Sequence, residues 1–346
     1  MIKVAVVGAS GYTGAELLRL LACHPEVEVV SITSRKEKGR LLKDVFPSLA
    51  LAYPDLHFED PEPKTLARKA DLVFCCVPHR AAMAIVPDLL AAGVKVVDFS
   101  ADFRLKDPAT YERWYETKHT APELLDEAVY GLPEIWREEI MEAHLVAGPG
   151  CYPTSVILPL HPLLSQGLIE REVIIDSKSG VSGAGRAAKL PLIFAEVNEA
   201  FRAYGLPGHR HIPEMEQELS FAAGSEVRVS FVPHLLPITR GILSTIYVFP
   251  RPGVSGDHLR EALKKAYQGE PFVSVLPPGE LPDVAHVRGT NQCRLAVVPD
   301  ERTARVVIIS VIDNLVKGAA GQALQCMNLM CGLKETMGLV GPALYP

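Results

Sequence analysis

One cysteine and two histidines carry the chemistry this sequence offers. Cys151 stands in Gly148-Pro149-Gly150-Cys151-Tyr152-Pro153-Thr154-Ser155. Leu145-Val146-Ala147 before it reads as a strand. Residues 152–166 read as a helix with apolar positions at Val156, Ile157, Leu160, Leu163 and Leu164. Pro153 suits a first helical turn, where a missing N–H costs nothing. The thiol is therefore expected where a strand turns into a helix, and the backbone amides and dipole of a helix N-terminus favour a thiolate. Covalent catalysis uses a cysteine placed in this way. The competing reading is a small buried thiol. His209 and His211 flank Arg210 just ahead of Pro213, which opens a helix with Glu214 and Glu216 in its first turn. Histidine is the side chain suited to proton transfer near neutral pH. One of the two is the expected acid/base partner of Cys151, and either is otherwise an ordinary loop histidine. The pair offers two nitrogens to a metal, but no third ligand presents itself, so no metal is expected.

The elements that position these residues begin with a nucleotide-binding pattern. Residues 3–7 read as a strand, Gly8-Ala9-Ser10-Gly11-Tyr12-Thr13-Gly14 as a turn, and Ala15 onward as a helix. In that context glycines aim backbone N–H groups and a helix N-terminus at a pyrophosphate. The spacing is GxxGxxG, and the competing reading is a plain tight turn. Gly8, Ser10, Gly11, Tyr12, Thr13 and Gly14 are the expected dinucleotide contacts. A second strand at 27–33 closes in Ser34-Arg35-Lys36. A free ribose 2′-hydroxyl usually meets an acid there, whereas a 2′-phosphate meets hydroxyls and an arginine. Ser34 and Arg35 thus predict NADP(H) over NAD(H), against a solvated basic loop. Strands at 71–77 and 94–99, with a helix over 80–92 closed by Gly93, continue the alternation. They imply a parallel sheet with right-handed crossovers, which binds ligands at the carboxyl ends of its strands. That edge is expected to gather the glycine turn, Pro78, Ser100, Arg104 and the Cys151 turn. Arg104 is a candidate clamp for an anionic group, or else a surface residue paired with Asp102 or Asp107. Residues 105–144 read as a helical and irregular excursion.

The second half has a different pattern. A strand at 173–178 leads into Ser179-Gly180-Val181-Ser182-Gly183-Ala184-Gly185-Arg186, a flexible loop that reads either as a cofactor or substrate contact, through Ser182 and Gly183, or as a surface hairpin. Strands are expected at 227–232, 241–249, 293–298 and 305–312, with a hairpin turn at Pro299-Asp300-Glu301-Arg302 and a helix near 256–268. This is a mixed, largely antiparallel α+β unit whose flat sheet face suits a dimer. A Gly/Ala-rich helix over 313–325 is expected to return to the nucleotide domain, placing Asn314 near the nicotinamide amide or at the helix N-cap.

Composition narrows the classes. The chain has 346 residues, 48% hydrophobic and 22% charged, with net charge −6 from 35 basic and 41 acidic residues. A soluble globule of two domains follows. No block of basic charge points to nucleic acid, and no apolar run is long enough to span a bilayer. The first residues enter a strand without a secretory-signal layout, and seven scattered cysteines suit a reducing cytoplasm.

Several motifs occur together and in order: GxxGxxG at the start, Ser-Ala-Asp-Phe-Arg at 100–104, GPGCYPTS around Cys151 and Gly-His-Arg-His-x-Pro-Glu at 208–214. Arg-Gly at 240–241 and Asp-Asn-Leu-Val-Lys-Gly-Ala-Ala-Gly-Gln-Ala at 313–323 complete the set. Over essentially its whole length the chain resembles the N-acetyl-γ-glutamyl-phosphate reductases of arginine biosynthesis, type 1, in the aspartate-semialdehyde dehydrogenase superfamily. The resemblance implies an α/β Rossmann-type NADP-binding domain over 1–150 and an α+β catalytic and dimerisation domain over 151–312. It also implies a C-terminal helix segment over 313–346 that returns to the first domain. It implies a small-molecule acyl phosphate as substrate, Cys151 as nucleophile, a histidine of the 209/211 pair as acid/base, and Arg104, Glu214 and Arg240 as substrate contacts. A cytoplasmic homo-oligomer, dimer or tetramer, is expected. Two other activities remain in view. One is a related reductase of lysine biosynthesis acting on a carrier-bound aminoadipyl phosphate. The other is an NADP-dependent dehydrogenase without a covalent step.

Overall fold

The structure is a computed structural model that describes residues 1–344, so positions 345 and 346 of the expected C-terminal segment lie outside the described residues. The chain divides into two compact units.

The first unit holds residues 1–149 and 319–340. Its strands are Ile2–Val7 (β1), Val27–Thr33 (β2), Phe58–Glu59 (β3), Leu72–Cys75 (β4), Lys95–Asp98 (β5), Val129–Tyr130 (β6) and Leu145–Ala147 (β7). They form one sheet in the order β3-β2-β1-β4-β5-β7-β6, with every pair parallel. The inner strands are apolar because both faces are covered. Val4, Ala5 and Val6 of β1 and every residue of β4 are fully buried. The helix Tyr12–Leu21 covers the sheet with Leu17 and Leu18 buried, and the helix Gly321–Met330 is buried along its whole length. Three details depart from the sequence reading. The helix over 80–92 is broken into a 3-10 turn, Ala82–Ala84, and a short helix, Val86–Ala91. Asp102 is the cause, since its carboxylate takes the backbone N–H groups of Arg80, Ala82 and Met83 and fixes them outside a regular helix. Residues 105–144 contain β6, which at two residues is too short to show a period. The terminal helix does not start at Asp313, because Val316–Ala320 is a wider π-helical turn and regular α-helix begins at Gly321.

The second unit holds residues 150–318 and the described end of the chain, 341–344. Its strands are Glu172–Gly180 (β8), Arg202–Ala203 (β9), Arg228–Leu236 (β10), Ile242–Val248 (β11), Val273–Val275 (β12), Cys293–Asp300 (β13) and Arg305–Ile312 (β14). They run in the order β12-β13-β14-β11-β8-β10-β9. The pairs β8/β10 and β12/β13 are parallel and the others antiparallel. One face packs against the helix Cys151–Ser165, with Val156, Ile157 and Leu160 fully buried against inward positions such as Ile175 and Ile246. Polar contacts cross the same layer. The Ser155 hydroxyl lies 2.8 Å from that of Ser244, which lies 2.7 Å from that of Ser177, and all three are fully buried. Pro162 within this helix cannot donate to Leu158, and the Tyr267 hydroxyl donates to that carbonyl instead. The other face of the sheet is more open, with Ile174 42% and Tyr247 36% exposed. Pro299 and Asp300 belong to β13, paired with Val306 and Arg305, so the hairpin turn lies at 301–304 rather than 299–302. The loop expected from 179 starts later, because β8 continues to Gly180 and Val181–Ala184 forms a 3-10 turn. Among the described residues no helix is long and apolar enough to cross a membrane.

Candidate active site

Cys151 is the first residue of its helix, and Gly150 is the N-cap in extended conformation, without a side-chain cap. No capping side chain closes the first turn, and the amides of a helix N-terminus point outward along its axis. Three neighbours shape this turn. Glu214, 1% exposed, accepts the Gly150 N–H at 2.8 Å. The His211 ring lies against the Gly150 Cα, and a Cβ built there would stand 2.7 Å from His211 Nε2. Gly318 approaches the cysteine itself, and a Cβ built on it would stand 2.8 Å from the Cys151 Cβ. Two glycines are thus required by contact: Gly150 admits the His211 imidazole and Gly318 admits the Cys151 side chain.

The structure distinguishes the two histidines. His209 sits in an aromatic nest, 5.8 Å from the Tyr152 ring, 5.6 Å from Tyr204 and 5.4 Å from Phe231. Its Nδ1 accepts the backbone N–H of His211 at 3.1 Å. Burial, with Arg210 second, pulls its pKa down to about 4. A ring held as an acceptor in apolar surroundings is neutral at pH 7 and a poor proton donor. His211 occupies the N-cap of the helix Ile212–Ala223, beside the turn that carries Cys151. The His211 ring thus stands against the cysteine turn, while His209 is enclosed by aromatic rings one step further away.

A second cluster surrounds Asn314. Its Oδ1 accepts the Gly241 N–H at 2.7 Å and its Nδ2 donates to the Ser182 hydroxyl at 2.9 Å. The helix cap comes from the neighbouring Asp313 instead. That carboxylate, fully buried, accepts from the amides of Leu315, Val316 and Gly289 and pairs with Arg240 Nη1 at 3.3 Å. The turn 180–182 is sewn to 238–241 by three backbone bonds, and a Cβ on Gly180 would meet the Thr239–Arg240 backbone at 2.8 Å. Ser182, Asn314, Asp313 and Arg240 are thus one connected group, while Gly183 is exposed at its edge. Asp313 escaped the sequence reading, although an Asp at a strand end before a helix is a capping signal. The Gly318 contact was visible only as a Gly/Ala-rich stretch able to pack closely. Tyr204, whose hydroxyl donates to that of Tyr152 at 3.1 Å, left no signal at all.

In the other unit, the turn after β1 has the geometry a dinucleotide needs. Gly8 has φ +79°, and a Cβ on it would lie 2.5 Å from the Cys76 carbonyl oxygen. Gly14 allows the helix to touch Ala9, where a Cβ would lie 2.6 Å from its Cα. Gly11 is the uncapped N-cap of the helix Tyr12–Leu21 and has open space before it. Thr13 is half-buried and Tyr12 is 41% exposed. Ser10 and Ser34 share a hydroxyl contact of 2.9 Å, and Arg35 is exposed beside them. Pro78 is exposed after β4. Two residues differ from expectation. Ser100 is fully buried, its hydroxyl donating to Asp98 at 2.6 Å and accepting the Asp102 N–H at 3.1 Å, so it shapes a loop rather than offering its hydroxyl to a ligand. Arg104, 5% exposed, gives Nε to the Gly148 carbonyl at 2.7 Å and Nη2 to that of Phe99 at 2.8 Å. It braces the strand ends that lead to the cysteine turn. Asp98 beneath them has its pKa pushed up to about 7 by burial and by Asp102.

Comparison with known proteins places these features. Residues 3–143 match the family model described as "Semialdehyde dehydrogenase, NAD binding domain", and residues 151–314 match "Semialdehyde dehydrogenase, dimerisation domain". The N-acetyl-gamma-glutamyl-phosphate reductase of Geobacter metallireducens is 58% identical over 100% of both chains. The chain belongs to the semialdehyde dehydrogenases, among the N-acetyl-gamma-glutamyl-phosphate reductases. The reductase of that name from Pelotomaculum thermopropionicum is 53% identical, covering 100% of this chain and 99% of its own. Solved structures share the fold at low identity. Aspartate semialdehyde dehydrogenase with NADP from Candida albicans matches with TM-score 0.73 at 17% identity, covering 96% of this chain and 98% of that one. The Vibrio cholerae aspartate semialdehyde dehydrogenase II, complexed with ASA, matches with TM-score 0.73 at 16% identity, covering 96% and 98%.

Proposed function

We propose that this chain reduces N-acetyl-γ-glutamyl phosphate with NADPH, giving N-acetylglutamate 5-semialdehyde and phosphate, a step of arginine biosynthesis. The observation that carries the substrate is the 58% identity, over the full length of both chains, to a reductase of that name. The local geometry supports the chemistry. His211 takes the thiol proton, and the Cys151 sulfur attacks the acyl carbon. The carbon–oxygen bond to phosphate breaks, leaving a thioester on Cys151. First-turn amides of the helix Cys151–Ser165 stabilise the oxyanion that forms on the carbonyl. NADPH, when bound, supplies a hydride to the thioester carbon. The resulting alkoxide collapses, the carbon–sulfur bond breaks, and His211 returns its proton to sulfur as the aldehyde departs. Phosphate takes a proton from solvent, so one proton is consumed overall. Glu214 holds the turn through Gly150, Arg104 bonds the Gly148 carbonyl, and Arg240, paired with Asp313, is assigned to an anionic part of the substrate.

The residues of the first unit fit a dinucleotide at the turn of Gly8, Ser10, Gly11, Tyr12, Thr13 and Gly14, with Ser34 and Arg35 for a 2′-phosphate and Pro78 as a further contact. The solved relative from Candida albicans carries NADP. The first unit serves the nucleotide and the second serves catalysis and assembly. The more open sheet face, with Ile174 and Tyr247, receives a second copy of the chain. The setting is the cytoplasm, where the cysteines stay reduced.

The test runs the reaction backwards. The protein should reduce NADP+ with N-acetylglutamate 5-semialdehyde only when phosphate or arsenate is present. Oxidation independent of phosphate would overturn the acyl-phosphate reading, and activity confined to a carrier-bound aminoadipyl substrate would move the chain to lysine biosynthesis.

A further inference from the structure

The end of β2 holds a buried acid that the cofactor reading leaves unused. Thr33 binds the glycine turn through its carbonyl, which accepts the N–H groups of Gly8 at 3.1 Å and Ala9 at 3.0 Å. Ser34 follows, with its hydroxyl 2.9 Å from that of Ser10, and it also accepts the Glu37 N–H at 3.3 Å. Glu37 is therefore tied by its backbone to the hydroxyl expected to meet a 2′-phosphate. The surrounding turn is pinned as well. Arg40 donates to the Glu37 carbonyl at 3.0 Å, and Gly39 and Arg40 bond the backbone of Phe58 at 2.8 and 2.9 Å. The Glu37 side chain is 8% exposed and cannot leave for solvent without opening this turn. Its carboxylate is met by Arg40 Nη1 at 2.6 Å, from a side chain that is 53% exposed.

An acid at the end of this strand usually receives a free ribose 2′-hydroxyl and repels a 2′-phosphate carrying about −1.5 to −2 charge, and Glu37 brings a buried carboxylate three residues beyond Ser34 at that strand end. Burial keeps Glu37 poorly screened by salt. Neutralised, the same acid does neither. We propose that the Glu37–Arg40 pair sets the cofactor preference, with Arg40 masking an acid that would otherwise turn this subsite against a 2′-phosphate. The proposal rests on the NADP reading of Ser34 and Arg35 and assigns Arg40 a charge role at that site.

Calorimetric titration of the cofactor-free protein with 2′,5′-ADP and with 5′-AMP tests it without any turnover. The wild type should bind 2′,5′-ADP the more tightly. A wild type that does not discriminate defeats the NADP reading itself, before any variant is made. Arg40→Ala is expected to shrink the discrimination by about tenfold, roughly 1.4 kcal/mol, through weaker 2′,5′-ADP binding. Arg40→Lys should retain most of it. The double variant Glu37→Gln with Arg40→Ala should regain most of what Arg40→Ala lost. An unchanged ratio in Arg40→Ala overturns the proposal. So does a double variant as poor as Arg40→Ala, since Arg40 would then act on the phosphate directly with Glu37 a bystander.

Discussion

The molecule uses the same local device twice, and uses it differently. At Gly11 and at Gly150 a strand turns into a helix whose N-cap is an extended glycine without a side-chain cap. Before Gly11 the space is open, the nearest atom to a built Cβ being the Gly8 carbonyl oxygen at 3.9 Å. Before Gly150 the space is filled by the His211 ring, and the Gly150 amide is already taken by Glu214. An uncapped helix N-terminus suits an anion in either place. The first is left empty for a ligand that arrives with its own charge. The second is closed by the protein's own groups, beside the sulfur to which the proposed covalent step assigns the charge. A glycine at a helix start therefore does not by itself announce a binding site; what stands against it decides.

The sharpest way to break this comparison is at the sulfur. Cys151→Ala is expected to lower reduction by at least about a thousandfold while nucleotide affinity persists. A variant that keeps near-wild-type turnover would refute the covalent step. Next comes the ring against Gly150. His211→Asn should cost about 10²–10⁴ in kcat, and His209→Asn less than about tenfold. Equal losses would erase the distinction between them. Alanine at the two glycines compares the turns directly. Gly150→Ala pushes the imidazole or the turn aside and should cost about 10–100-fold in kcat, as a displacement near 1 Å does. Gly11→Ala should raise the KM for NADPH more than it lowers kcat. The reverse pattern would mean that the open turn, not the filled one, aligns the reacting groups.

The smallest effect concerns pH. His209 has its folded pKa held at about 4, below the ordinary value of 6.5. The unfolded chain therefore binds more protons between those limits. The stability this ring contributes is fully present above pH 6.5 and is lost as pH falls toward 4. Between pH 7 and pH 5 the wild type should lose about a few degrees of Tm more than His209→Phe does. Parallel pH profiles would place the loss elsewhere.

The sequence carried most of the first unit, because its strands are buried on both faces and their apolar runs are bounded by glycine turns. It also placed Cys151 at the head of a helix. It did not separate the two histidines. That difference lies in Tyr204 and Phe231, which come from distant stretches and pack against His209, whereas Tyr152 touches both rings. Arg104 and Ser100 were assigned to ligands because their types suit that work. Their burial and their bonds to Gly148, Phe99 and Asp98 are long-range facts that no local pattern encodes. The helix expected over 80–92 failed for the same reason, since Asp102 captures its first amides from outside.

The contact between Gly318 and Cys151 has a consequence in time. The groups that surround Cys151 come from residues 150, 209–214 and 318. A chain growing from its N-terminus makes the thiol long before it makes the wall that the thiol rests on. Until about residue 318 has emerged and docked, Cys151 is an ordinary cysteine at the head of an unfinished helix. On the covalent reading proposed above, the thiol's reactivity belongs to the finished chain, and a nascent or truncated one carries no premature nucleophile.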